Sequence, residues 1–128
     1  MTLKKIHDDQ PKEFKFSSEN FKKAEEILKR YPKENKKSAV MPFLYLAQKQ
    51  NSNWIPLAAM KYIANFLSMP YISVYEVATF YTMYNLAPVG KHFVQVCTTT
   101  PCLIRGADKI VRLCLSLIHI SEPTRLQD

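Results

Sequence analysis

The chain has 128 residues, 47% of them hydrophobic, and carries 18 Lys and Arg against 11 Asp and Glu, a formal net charge of +7. This length fits one domain, or a small domain with a helical extension, and the apolar content argues against general disorder. Only two glycines occur, Gly90 and Gly106. Glycine-rich loops that cradle nucleotide phosphates are therefore not expected, and any nucleotide or flavin is expected on another chain.

The charges are unevenly distributed along the chain. Residues 1–37 carry eleven Lys and Arg and seven Asp and Glu, whereas residues 38–90 carry only Lys49, Lys61 and Glu76. This depletion predicts that a partner covers part of the central segment, the alternative being a compact helical core with an uncharged polar face. Because the N-terminal lysines are mixed with acids, the pattern indicates a solvated helix face and not nucleic-acid binding.

The N-terminal part of the chain predicts an arm and two helices. Residues 1–15 are polar and are expected to form the arm. The first helix is predicted to begin with Ser17 or Ser18 as its N-cap and to end at Pro32, because a residue before proline avoids the helical region. A second helix is predicted over residues 38–50 from its apolar spacing.

Two more helices are predicted in the central segment. The third, over residues 56–67, begins at a proline and has apolar residues at helical spacing. Ser73 and Glu76 form an S-x-x-E capping box, which predicts a fourth helix over residues 74–84. Four short helices with short connections predict an antiparallel bundle, and residues 16–87 are interpreted as a helical domain.

The pattern changes after a turn signal at Pro88. β-Branched and aromatic residues predict a strand over residues 91–96, and apolar spacing predicts one helix from Leu103 to Cys114. A lone strand is not stable by itself, so the rest of its sheet is expected downstream. The predicted fold class is therefore α+β, a helical bundle followed by the start of an α/β domain, residues 88–114, with an incomplete sheet.

Two of the three cysteines carry the strongest chemical signal. Cys97 and Cys102 are spaced C-x4-C between the predicted strand and helix, where backbone N–H groups and the positive helix end stabilise thiolates. Thiolates ligate iron–sulfur clusters, but this spacing alone also allows zinc, a regulatory disulfide or unreactive thiols. A thiol–disulfide enzyme and a helical interaction module with idle cysteines therefore stay open. Cys114 is expected to be a small buried hydrophobic residue.

Three sequence blocks carry a specific resemblance: YEVATFYTMYN at residues 75–85, VCTTTPC at 96–102 and RGADKI at 105–110. They closely resemble the 24 kDa subunit family of respiratory complex I, whose bacterial counterparts are the E subunits of NADH:quinone oxidoreductase. Diaphorase subunits of hydrogenases and formate dehydrogenases share the architecture and are the alternative. The resemblance implies an electron-transfer subunit with a helical domain followed by a thioredoxin-like domain that holds a [2Fe-2S] cluster.

The resemblance also implies residue roles and partners. Cys97 and Cys102 match the first two of four cluster ligands; the second pair has no match, so this chain alone is not expected to hold the cluster. FMN and NADH are expected on a flavoprotein partner that docks on residues 38–90 together with other peripheral-arm subunits. The expected location is the bacterial cytoplasm or the mitochondrial matrix side of the inner membrane, without membrane insertion. Residues 115–128 depart from the family pattern and are expected to be a non-native tail.

Overall fold

A computed structural model describes the backbone of residues 4–121 and the side chains of residues 4–118. The chain divides into two compact units, Met1–Lys91, here called the first unit, and His92–Asp128, the second unit. In the part of the chain that is described, the regular secondary structure is entirely helical.

Over residues 4–91, the first unit contains four α-helices and one 3-10 helix: α1 Ser18–Leu28, the 3-10 helix Lys33–Ala39, α2 Val40–Gln50, α3 Leu57–Phe66 and α4 Tyr71–Phe80. The predicted start of α1 is confirmed, since the Ser17 hydroxyl accepts a hydrogen bond from the Asn20 N–H at 3.3 Å and so caps the helix. The predicted second helix is confirmed from Val40 onward, and the residues just before it form the 3-10 helix.

The apolar sides of the four helices meet in one core. Helix α3 packs against α2 and α4, and α1 packs against α2. Phe43 at the centre contacts Phe16 and Phe66 edge-on, with ring centroids 5.8 and 5.2 Å apart. Each large apolar side chain buried in this way contributes about 1.5–3 kcal/mol to folding. The largest fully buried side chains are Tyr84, Phe43, Leu44, Ile55, Met60, Ile63, Leu67 and Val74.

The N-terminal segment lies along these helices. The Lys4 ammonium donates hydrogen bonds to the carbonyl oxygens of Ala78, at 2.9 Å, and Tyr81, both at the end of α4. A cation at this position is stabilising, because the last carbonyls of a helix lack partners within it and carry partial negative charge. Further along the segment, the Phe16 ring is buried in the core. The segment therefore packs as part of the first unit.

The predicted bounds of the fourth helix are wrong. Helix α4 spans Tyr71–Phe80 and follows directly on Pro70, whose φ of −61° already suits a helix start. Ser73 lies inside the helix, so the predicted capping box with Glu76 does not form. The helix ends early because Tyr81 adopts an extended conformation, with φ −83° and ψ 128°.

The second unit contains α5 Thr100–Ile104 and α6 Ala107–Ser121. The predicted strand over residues 91–96 is wrong, because these residues are irregular. A strand needs a neighbouring strand to exchange backbone hydrogen bonds with, and none is present among the described residues. The single helix predicted from Leu103 to Cys114 is also wrong. Gly106 separates two helices with a φ of +101°, which side-chain-bearing residues rarely adopt.

Candidate cysteine site

The two cysteines of the C-x4-C spacing lie in the second unit on residues 97–102, here called the cysteine loop, which includes the first turn of α5. Cys97 lies in the irregular stretch before α5, and Cys102 lies in that first turn. Thr99 precedes the helix in an extended conformation, with φ −67° and ψ 166°, and Pro101 follows in the first turn. Proline is favoured there because its fixed φ suits the helix and its missing N–H has no partner to lose. The sequence TTTPC therefore starts the helix that carries Cys102.

A hydroxyl group points at the first sulfur. The Thr99 Oγ1 lies 3.1 Å from the Cys97 Sγ and donates to it when the sulfur is a thiolate. This hydrogen bond, together with one from the Thr99 backbone N–H and one from the Cys102 thiol, lowers the pKa of Cys97 below its ordinary value. Hydrogen bonds to the charged form favour that form, so Cys97 is the thiol of this loop that deprotonates first.

The pKa of the second thiol, Cys102, shifts in the opposite direction. The hydrogen bond to Cys97 and the negative charge of its thiolate raise the pKa of Cys102. Both cysteines are free thiols, Cys97 is exposed and Cys102 is half-buried. The loop thus presents one accessible sulfur that is prone to ionise and a second thiol close beside it. Such a pair can ligate a metal or react with an electrophile.

The remaining candidate ligands are not brought to this loop as a set. Cys114 lies on α6 and is half-buried, which is less burial than predicted. His92 is exposed in the irregular stretch before the loop. Among the described residues, no group of three or more His, Cys, Asp and Glu side chains could hold a metal ion. The predicted pair is therefore close together, and the described part of the chain adds no third ligand to it.

Thr99 is the residue of this site that sequence reasoning missed. Three consecutive threonines, Thr98, Thr99 and Thr100, separate the cysteine from Pro101, and only the backbone turn decides which hydroxyl faces the sulfur. The sequence could have indicated this contact, because Ser and Thr hydroxyls often form hydrogen bonds to groups two residues away in turns that precede helices.

Comparison with known proteins shows the family of the chain. The family model of the thioredoxin-like [2Fe-2S] ferredoxin matches residues 24–128. The chain belongs to this family. The predicted thioredoxin-like domain is therefore confirmed at the level of the family, while the described residues are mostly helical.

Curated relatives are similar over most of the chain. The NADH-quinone oxidoreductase E subunit of Rickettsia bellii is 52% identical over 115 residues, which cover 90% of this chain and 69% of the relative. The corresponding E subunit of Rickettsia conorii is 57% identical over 101 residues, covering 79% of this chain and 60% of the relative. NADH dehydrogenase [ubiquinone] flavoprotein 2 of Dictyostelium discoideum, a mitochondrial protein, is 49% identical, covering 84% of this chain and 43% of the relative.

The helices of the described chain differ from membrane spans. Within residues 4–121, none combines the length and the apolar character that crossing a bilayer requires.

Proposed function

We propose that this chain is part of an electron-transfer subunit of NADH:quinone oxidoreductase, with a [2Fe-2S] cluster as its cofactor. The observation that carries the proposal is the loop on which Cys97 and Cys102 lie side by side, with Thr99 favouring the first thiolate. The family match and the names of relatives that are 52% and 57% identical support the same function. The chain acts as a subunit of an oxidoreductase complex, and no catalytic residue is proposed in it.

Cys97 and Cys102 each supply one thiolate to the cluster. Two neighbouring thiols, one of them already inclined to ionise, fit half of the four-thiolate set that a [2Fe-2S] cluster requires. When bound, the cluster accepts and releases one electron at a time. The hydroxyl and the backbone N–H of Thr99 hold the Cys97 sulfur in place and withdraw charge from it, which is how hydrogen bonds tune the potential of such centres.

Cobalt(II) tests whether the two thiols act as a pair of metal ligands. Thiolate–cobalt bonds give a charge-transfer absorption in the near ultraviolet, which requires no intact iron–sulfur cluster. We expect this absorption in the wild-type chain, its loss in Cys97→Ser and in Cys102→Ser, and its retention in Cys114→Ser, the matched control on α6. If all three variants retain the absorption, or if Cys114→Ser loses it as well, the proposed ligand pair is wrong.

Iron analysis tests whether half of a ligand set holds a cluster. The chain contains three cysteines, of which only two lie on the loop. After anaerobic expression, we expect iron and acid-labile sulfide well below the stoichiometry of one cluster per monomer. A monomer with stoichiometric iron and sulfide would show that the chain supplies the remaining cluster ligands in another way.

We assign the helices of residues 16–87 to a helical bundle domain and residues 88–114 to the first part of a thioredoxin-like α/β domain. The bundle presents large apolar side chains to solvent: Ile72 and Phe80 on α4 are 57% and 67% exposed. Residues 38–90 carry only three charged side chains. Exposed apolar surface with few charges is typical of the centre of a protein interface. The flavoprotein subunit that binds FMN and NADH, with other peripheral-arm subunits, is the proposed partner of this surface.

Co-purification with the flavoprotein subunit tests this docking surface. Replacing Ile72 and Phe80 together with Glu places two charges in the proposed interface, and we expect at least a tenfold loss of the co-purified partner. Ser18→Glu adds a charge on α1, outside residues 38–90, and is expected to leave co-purification unchanged. Equal recovery with both variants would place the interface elsewhere.

The proposed location follows from the proposed complex. The protein lies peripheral to the inner membrane, in the bacterial cytoplasm or on the matrix side in mitochondria. The names of the relatives support both, since one set is bacterial and the protein of Dictyostelium discoideum is mitochondrial.

A further inference from the structure

The first unit contains an open groove that is separate from the exposed apolar residues of α4 proposed above to dock the flavoprotein subunit. It lies between the N-terminal segment and the first turns of α3 and has a volume of about 350 Å³. Its lining includes Lys12, Glu13 and Lys15 of the segment and Ala58, Lys61 and Tyr62 of α3. The residues of α3 recur at helical spacing, so one face of the helix forms one wall and the segment forms the other.

The segment is held at both ends, so the groove is already formed. The Leu57 N–H donates to the Gln10 Oε1 at 2.9 Å, which joins the segment to the start of α3. At the other end, the Gln50 Nε2 donates to the Lys15 carbonyl oxygen at 2.7 Å. Between these anchors the Phe14 ring packs edge-on against Tyr62, with centroids 6.0 Å apart. A site of this kind loses little conformational entropy on binding.

The backbone between the two anchors is available for pairing. Residues 12–14 are irregular, and their N–H and C=O groups have no hydrogen-bond partner within the described part of the chain. Lys12 and Glu13 are exposed, so these groups are open to solvent and to a ligand. An exposed backbone with free donors and acceptors can form hydrogen bonds to the backbone of an extended peptide.

The rim of the groove is positively charged. Lys12, Lys15 and Lys61 line it against one acid, Glu13. None of these lysines forms an ion pair with a described residue, whereas Lys23 on α1 pairs with Glu19 at 2.8 Å. The Lys61 ammonium lies 5.7 Å from the centroid of an aromatic ring, a contact that leaves its N–H donors free. The unpaired charges favour an acidic ligand.

We propose that this groove binds an extended acidic segment of another protein chain. The backbone of the segment pairs with residues 12–14, its carboxylates meet Lys12, Lys15 and Lys61, and an apolar side chain lies over Ala58 and Tyr62. A peptide is favoured over a nucleic acid, because the free backbone N–H and C=O groups match those of a peptide backbone.

Fluorescence anisotropy with a labelled peptide of alternating Glu and Val tests the proposal. The variant carrying Lys12→Glu, Lys15→Glu and Lys61→Glu is expected to bind the peptide at least tenfold more weakly than wild type. The matched control reverses three lysines outside the groove, Lys22, Lys29 and Lys37, and is expected to stay within twofold. A peptide of alternating Lys and Val is expected not to bind.

Ala58→Trp fills the groove without changing its charge and is expected to weaken peptide binding at least tenfold. Circular dichroism confirms that the variant is folded.

Equal losses of peptide binding in the two lysine variants would show general charge attraction and overturn the proposal. Absence of peptide binding, or tighter binding of an eight-nucleotide single-stranded DNA, would overturn it as well. The groove lies in the first unit and the cysteines in the second, so peptide binding and cobalt binding can fail independently.

Discussion

The two units of this protein bury apolar side chains to very different degrees. The first unit buries a continuous set of large apolar side chains, whereas Ala107 is the one buried side chain among the described residues of the second unit. Large apolar residues of the second unit are exposed instead, with Val94 at 69%, Ile104 at 78% and Leu113 at 61%. The first unit is therefore held by its core, and the second unit by local backbone conformation and by short-range hydrogen bonds.

Truncating one core and one exposed side chain tests this difference most directly. Phe43→Ala removes a fully buried ring and is expected to lower the free energy of unfolding by about 3–5 kcal/mol, because it leaves a cavity among packed aromatic rings. Leu113→Ala on α6 is the control, with an expected change within about 0.5 kcal/mol. Urea unfolding followed by circular dichroism measures both. Similar losses of unfolding free energy in the two variants would mean that the packing of the second unit is as stabilising as that of the first.

The glycine between α5 and α6 gives the next largest expected effect. Gly106 has a φ of +101°, and a Cβ there would meet no atom within 4 Å, so Gly106→Ala introduces backbone strain without a steric clash. We expect a cost of about 1–2 kcal/mol, seen as faster amide hydrogen exchange in the two helices. Gly90→Ala is the matched control, since that site is equally open and has no positive φ. A cost at Gly90 equal to that at Gly106 would contradict the assignment of strain.

The elements that could be predicted from sequence depend on short-range signals. The start of α1 follows from the Ser17 hydroxyl, and α3 follows from a proline and apolar residues at helical spacing. The bounds of α4 could not be found in this way. Its buried residues, Val74 and Ala78, occur among exposed apolar ones such as Ile72, so the sequence shows no polar face that would mark the ends.

The strand and the site show a second limit of sequence reasoning. Residues 91–96 have the composition of a strand, but strand formation depends on hydrogen bonds to another part of the chain, which composition does not report. The closeness of Cys97 and Cys102 follows from their spacing, whereas the contact of Thr99 with the sulfur depends on the turn that Pro101 sets. Cluster ligation by the two cysteines stays a prediction until metal binding is measured.

The buried tyrosine of the first unit gives a smaller effect with a defined pH dependence. The Tyr84 hydroxyl donates to the Met41 carbonyl oxygen at 3.1 Å, and burial, with the nearby Tyr81 and Tyr45, raises the pKa of Tyr84 to about 12. Since the folded pKa exceeds that of the unfolded chain, this stabilisation is present below pH 10 and is lost as the pH rises towards 12. Tyr84→Phe is expected to cost about 1 kcal/mol at neutral pH.

Lysines also titrate in this alkaline range, so the measurement is the difference between the two proteins. Unfolding free energies of wild type and Tyr84→Phe are compared at several pH values, and the gap is expected to shrink above pH 10. A gap that stays constant up to pH 12 would mean that the Tyr84 hydroxyl ionises as readily in the folded chain as in the unfolded one.

In the cysteine loop of the second unit, the pKa of Cys97 shifts in the opposite direction to that of Tyr84, and the variants of this loop give the smallest expected effect. Hydrogen bonds in an exposed site lower the pKa of Cys97, with the Thr99 hydroxyl as the largest contribution, whereas burial in the first unit raises that of Tyr84. Alkylation by iodoacetamide, followed by mass spectrometry, is therefore expected to reach Cys97 at a lower pH than Cys102, whose pKa is raised. Thr99→Val removes the hydroxyl and is expected to slow alkylation of Cys97 severalfold at neutral pH. Thr99→Ser restores the hydroxyl and is expected to restore the wild-type rate, so identical pH profiles for all three proteins would assign the reactivity of this sulfur to its exposure alone.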